Sequence, residues 1–150
     1  MRSFPTIAEL QGLVGQEIGV SDWITVTQER IRLFAEATND HQWIHLDAER
    51  AKAGPFGTTI AHGFFTLSLL PEMAASAFEV RETRMGVNYG LNKVRFPAPV
   101  PSGSRVRGRF KLIGYEPLDG GAQITVQVTM EREGSDKPVC IAESIGRRYA

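Results

Sequence analysis

The chain has 150 residues and is 42% hydrophobic, a size at which one globular domain can bury a sizeable core and a second has no room. Seventeen Lys and Arg balance seventeen Asp and Glu, which removes the electrostatic footprint of a nucleic-acid binder and any polybasic patch for a membrane surface. The lone cysteine, Cys140, excludes an internal disulfide framework or a Cys-based metal cluster, and in the apolar run Val139 to Ala142 it reads as a small core residue.

Met1-Arg2-Ser3-Phe4-Pro5 lacks the continuous apolar segment of a secretory signal, so a cytoplasmic location is expected. Thr6-Ile7-Ala8-Glu9 has the form of a capping box, and Leu10, Leu13 and Val14 follow at helical spacing, which predicts a short helix ended by Gly15. A second helix is predicted from Thr27, with Ile31, Phe34, Ala35 and Thr38 on one face. Asn39 can close it, because asparagine tolerates the left-handed backbone that follows a helix. Residues 40–60 lose all periodicity and contain Gly54, Pro55 and Gly57, which predicts a long loop of the kind that is usually functional.

The run from His62 to Phe78 is apolar on nearly every side and predicts a helix surrounded by protein. It is interrupted by Ser68, Pro71, Glu72 and Ser76 and is too short to span a bilayer. Ser68, Glu72 and Ser76 form one stripe expected to meet a polar cavity or an interface, and Pro71 should bend the helix. From Val87 onward the pattern alternates. Val106, Gly108, Phe110 and Leu112 form one strand and Ile124, Val126, Val128 and Met130 the next, with Asp119-Gly120-Gly121 as the turn; Val139 to Tyr149 is the last strand. These elements predict an α+β domain spanning residues 1–150, an antiparallel sheet wrapped around a helix.

Four residues separate Asp40 from His45, an offset that would point them roughly 140° apart on a continuous helix. They can converge only on a turn or loop, and a helix ending at Asn39 supplies one. A carboxylate and an imidazole brought together can hold a water and move its proton; the rival reading is a helix cap beside a surface histidine. Ile60-Ala61-His62-Gly63 places a glycine at the predicted start of the buried helix. There, free backbone N–H groups could stabilise an oxygen that gains negative charge, although an ordinary helix start would look the same.

Three blocks then carry a resemblance: Phe34-Ala35-x-Ala37-Thr38-Asn39-Asp40-x-x-x-Ile44-His45-x-Asp47-x-x-x-Ala51, Ile60-Ala61-His62-Gly63, and Lys93-Val94-Arg95-Phe96-Pro97-Ala98-Pro99-Val100. In order and spacing they resemble the MaoC-like family of (R)-specific enoyl-CoA hydratases and dehydratases, over roughly residues 20–145. The resemblance implies a hot-dog fold working as a homodimer, with Asp40 and His45 as the catalytic pair and the Gly63 amide binding the thioester carbonyl. A family serine of the central helix falls on Ser68. Trp43, His62 and Asn88 complete the expected substrate-binding set, with an acyl-CoA thioester as partner. No cofactor is implied, and no three-ligand metal spacing is visible. Where the family usually has Gly, Asn and Pro, this chain has Asn39, Gln42 and Trp43. Asn39 keeps the left-handed option, whereas Gln42 and Trp43 alter the turn that aims His45 and bear on the acyl pocket more than on the reaction class.

His41 reads as a surface residue, and Arg105, Arg107 and Arg109 as solvated strand charges. The segment from Asp47 to Thr59 should border the substrate entrance. Two rivals to a hydratase remain at this stage: a thioesterase on the same scaffold, and a non-catalytic acyl-CoA-binding partner subunit.

Overall fold

Alternating apolar residues in the C-terminal half form long strands, and the computed structural model, which describes residues 1–150, assembles them into one antiparallel sheet. In chain order the elements are β1 (Arg2–Phe4), a 3-10 helix (Ala8–Leu13), β2 (Glu17–Val20), β3 (Ile24–Thr25), α1 (Gln28–Thr38), α2 (Trp43–Leu46), α3 (Ala48–Lys52), α4 (Gly63–Ser68) and α5 (Leu70–Ala77). They continue with β4 (Phe78–Val80), β5 (Met85–Arg95), β6 (Arg105–Leu118), β7 (Gly121–Arg132) and β8 (Cys140–Tyr149). The sheet order is β2-β6-β7-β8-β5, with β3 also paired to β6; β1 and β4 make a separate parallel pair. This is the hot-dog architecture.

The period of two is visible in what is buried. Val106, Phe110 and Leu112 of β6 and Ala122, Ile124, Val126, Val128 and Met130 of β7 face the core, where Cys140 and Ala142 of β8 join them. Burial pushes the Cys140 thiol up to about 11, which makes it inert packing rather than a nucleophile. The opposite face carries the expected charges as cross-strand ion pairs: Arg105 with Glu133 at 2.9 Å, and Arg107 and Arg109 with Glu131. The β6–β7 turn falls on Asp119-Gly120, and Gly120 has φ 77°, a left-handed backbone that favours glycine.

The single helix expected over His62 to Phe78 is two helices. Leu69 lies between them and Pro71 sits in the first turn of α5, where its missing N–H leaves no intrahelical bond unmade. The proline thus starts a helix rather than bending one. Nor is the pair enclosed on all sides. Phe65, Leu69, Met73 and Ala77, four residues apart, are buried against the sheet, whereas Phe64 on the other side is 73% exposed and Ser68, Pro71 and Ala75 are exposed with it. The polar stripe also splits: the Ser68 hydroxyl donates to the Phe65 carbonyl at 2.7 Å, Glu72 pairs with Arg30 of α1 at 2.9 Å, and the Ser76 hydroxyl accepts from the Asp22 amide at 2.9 Å.

Residues 40–60 are not one loop, because α2 and α3 lie inside them. Asp47 caps α3 by accepting from the Arg50 amide at 3.0 Å, but helices of four and five residues are too short to show periodicity. The strands β2 and β3 and the β1–β4 pair, all of two to four residues, escaped the sequence for the same reason. At Gly19 of β2, an added Cβ would stand 2.4 Å from the Ala77 carbonyl oxygen, so this glycine lets the strand cross the end of α5 closely. No helix is long and apolar enough to cross a membrane.

Candidate active site

Asp40 is aimed by the end of α1. Thr27 caps the start of that helix by accepting from the Arg30 amide at 3.2 Å, and Asn39 ends it in the left-handed conformation at φ 59°. The chain turns there, with the Asp40 amide bonded to the Ala35 carbonyl at 3.1 Å. One Asp40 carboxylate oxygen then accepts from the Gln42 amide at 3.3 Å, a short local bond that starts α2. Gln42 therefore serves the turn through its backbone, so its side-chain identity leaves the turn intact.

His45, on α2, is 6% exposed, and its Nδ1 lies 2.7 Å from the Ile60 carbonyl oxygen. A carbonyl only accepts, so Nδ1 carries the proton and the neutral ring presents Nε2 as a bare acceptor. Ile60 is itself held by its amide bond to Ile44 at 3.0 Å and by a bridge to Pro101. The His45 backbone is anchored as well, since Gln28 Nε2 donates to its carbonyl at 2.8 Å and the Thr59 hydroxyl donates to Gln28 Oε1 at 2.7 Å. Sequence patterning gave no hint of Gln28 or Thr59, nor of the backbone role of Ile60, because each acts through the backbone or from a distant segment.

His62, expected at the substrate, lies behind the pair instead. It is 3% exposed, its ring stacks on His45 at 3.7 Å between centroids and 21° between planes, and its Nε2 lies 3.1 Å from the Asp40 carbonyl oxygen. Phe34 packs on its other side at 4.9 Å. Nδ1 is a buried atom with no hydrogen-bond partner. One ligand-type atom from each of Asp40, His45 and His62 lies within 4.8 Å of the others, a grouping that local spacing could not reveal because His62 is distant in sequence. The stacked rings suit an ion poorly: one placed in the plane of either ring stands well out of the plane of the other.

Burial drives the His45 pKa below its ordinary value, and the neighbouring His62 adds to the fall; the bond to Ile60 and the Asp40 carboxylate oppose it. Nε2 is thus a ready base at neutral pH. Ligand-type atoms of Asp40 and His45 lie within 4.8 Å of each other, close enough for one water to bridge two acceptors, since two hydrogen bonds of about 2.8 Å span about 4.5 Å.

Gly63 opens α4, so its N–H has no intrahelical acceptor. An added Cβ would stand 3.0 Å from the Phe96 ring, so any larger residue would require that ring to shift. Phe96 to Val100 wall the adjoining hollow of about 330 Å³. All three sequence blocks therefore meet at one place. Ser68 and Asn88 lie elsewhere, at a second opening of about 340 Å³ shared with Tyr89 and Ser144. That opening continues through Leu70, Pro71, Asn88 and Ser144 into a cavity of about 490 Å³ between α5 and the sheet. Trp43 borders neither. Its indole packs against Arg50, whose guanidinium is 4.3 Å from the ring centre, and against Gly54. His41 is exposed, as expected.

The MaoC like domain family matches residues 9–134. A 3-hydroxyacyl-thioester dehydratase Z from Mycobacterium tuberculosis is 58% identical over 151 aligned residues covering all of both chains. Nodulation protein N from Rhizobium leguminosarum bv. viciae is 50% identical over 93% of this chain and 89% of its own. Among solved structures, an R-hydratase from Pseudomonas aeruginosa superposes with a TM-score of 0.73 at 22% identity, over 96% of this chain and 85% of that one.

Proposed function

The chain belongs to the MaoC-like dehydratase family, and we propose that it adds water across the double bond of a trans-2-enoyl-CoA thioester, or in reverse dehydrates the (R)-3-hydroxyacyl-CoA. A relative 58% identical over its whole length is named a 3-hydroxyacyl-thioester dehydratase, which supports a hydro-lyase; the (R) outcome rests on the likeness to R-hydratases. The observation that carries the reading is the pairing of the Asp40 carboxylate with a tautomerically fixed His45. Water held by the two attacks the β-carbon as one of its protons passes to the pair. The electron pair of the double bond moves through the α-carbon onto the thioester oxygen, which the Gly63 amide stabilises. Return of the proton from the pair to the α-carbon completes the addition of one water, with no atom left over. Acyl chains run past Ser68 and Asn88 into the cavity beneath α5.

With His45 as a base, the acid limb of the kcat/KM profile should lie below the ordinary imidazole value of 6.5, because burial holds the ring neutral to lower pH. A limb above that value would contradict the assignment.

The working form is a homodimer joined edge to edge. β5 is an edge strand, and Met85, Val87, Tyr89 and Leu91 along it are all exposed in one copy, as is Phe64. Sedimentation at micromolar concentration is expected to give a dimer, and a monomer would rule this out.

Crotonyl-CoA distinguishes this function from its rivals. A hydratase bleaches the enoyl thioester absorbance and releases no thiol, a thioesterase releases thiol, and a binding subunit does neither.

A further inference from the structure

The 490 Å³ cavity beneath α5 is walled by hydrocarbon from Ala74, Phe110, Ile124, Val126 and Val128, yet its far end carries a guanidinium. Arg148 shares the inward parity of β8 with Ala142 and Ser144, and lies over the Phe78 ring at 5.2 Å. Burial lowers its pKa, and it joins none of the chain's ion pairs. Its neighbours do not serve as counter-ions. Glu79 is exposed and takes a hydrogen bond from Ser3 at 2.8 Å, and Arg147 is turned to Tyr89 and donates to Gln123 at 3.0 Å. A second polar group at this end, the Thr83 hydroxyl, is buried without a partner.

A half-buried guanidinium that has no anion and stands beside apolar walls is placed to gain from a ligand of opposite charge. We propose that Arg148, with Thr83, receives the terminal carboxylate of the acyl chain, so that the preferred substrates are thioesters of dicarboxylic acids. The proposal rests on the hydratase function above and names its substrate class. The guanidinium fork matches a carboxylate with two parallel N–H donors, and the Thr83 hydroxyl supplies a third. From Ser144 to Arg148 the strand advances about 13 Å, and α5 beside it is about 12 Å long, so the carboxylate is met after a medium-length hydrocarbon run. The phosphates of coenzyme A are not the occupant, because hydrocarbon walls separate Arg148 from the Ser68 opening and a diphosphate could not cross them dry.

The test compares 2-dodecenedioyl-CoA with 2-dodecenoyl-CoA as substrates of the full chain and of Arg148→Met, Arg148→Lys and Thr83→Val. The ratio of their kcat/KM values should favour the diacid by about tenfold or more. Arg148→Met should lower that ratio by about ten- to hundredfold, Arg148→Lys by less and Thr83→Val least. A ratio near one in the unaltered protein, or one that Arg148→Met leaves unchanged, overturns the proposal. Binding of the saturated analogues, dodecanedioyl-CoA and dodecanoyl-CoA, is measured in parallel. If neither enoyl thioester turns over while the diacid analogue binds better in an Arg148-dependent way, the carboxylate receptor stands and the hydratase function falls. Should Arg148→Met instead dissociate the assembly, the guanidinium belongs to a subunit contact and the proposal is overturned. If that variant does not fold, Arg148→Lys and Thr83→Val give the decision.

Discussion

Asp40→Asn and His45→Gln are each expected to lower kcat by about 10²–10⁴ with little change in KM, since a positioned acid/base group contributes a factor of that order. The reason lies in the tautomer. His45 Nδ1 donates its proton in a hydrogen bond to the Ile60 carbonyl, so the ring offers only Nε2 to the water, and Asp40 must accept the water's second hydrogen bond. Neither group orients the nucleophile alone. The Asp40→Asn, His45→Gln double variant should therefore be little worse than the worse single one, because both groups serve one transition state. Multiplicative losses in steady-state rates would show that they act separately, and a folded single variant with nearly full hydration activity would move the active site elsewhere.

Replacing His62 is expected to have the next largest effect, through the two residues it positions. It holds Asp40 through the main chain and His45 through its ring face, and a misplacement of about 1 Å at a reacting group can cost about 10²-fold in rate. His62→Phe keeps an aromatic ring, slightly larger, for stacking but loses the bond to Asp40, so kcat should fall by about that factor with KM nearly unchanged. The pH profile separates positioning from a general loss of packing. His62 helps depress the His45 pKa, and without it the acid limb should move upward, toward the ordinary imidazole value. A rate loss with an unmoved limb would leave His62 as packing alone.

What the sequence disclosed follows the range of the forces involved. The strands β6, β7 and β8 and the helix α1 were legible because their buried faces repeat over many residues, and Thr27 and Asn39 mark the ends of α1 by local backbone chemistry. The convergence of Asp40 and His45 followed from the helix ending at Asn39, just before them. Three features stayed hidden. Pro71 was legible as a bend but not as the first turn of a new helix, because that depends on where Leu69 turns the chain. The contacts of His62 with His45 and Asp40, and of Trp43 with Arg50 and Gly54, are set by tertiary packing that residue patterning does not encode. The unpaired guanidinium of Arg148 gave no sign in a chain whose formal charge sums to zero.

The most direct test of the Asp40/His45 water is hydration of crotonyl-CoA in oxygen-18 water, with mass analysis of the product. One label should appear on the 3-hydroxyl of an intact (R)-3-hydroxybutyryl-CoA, none in the thioester carbonyl, and its rate of appearance should fall by about 10²–10⁴ with Asp40→Asn or His45→Gln. Label in a free carboxylate, with coenzyme A released, would mean that the water attacks the carbonyl and would contradict the account.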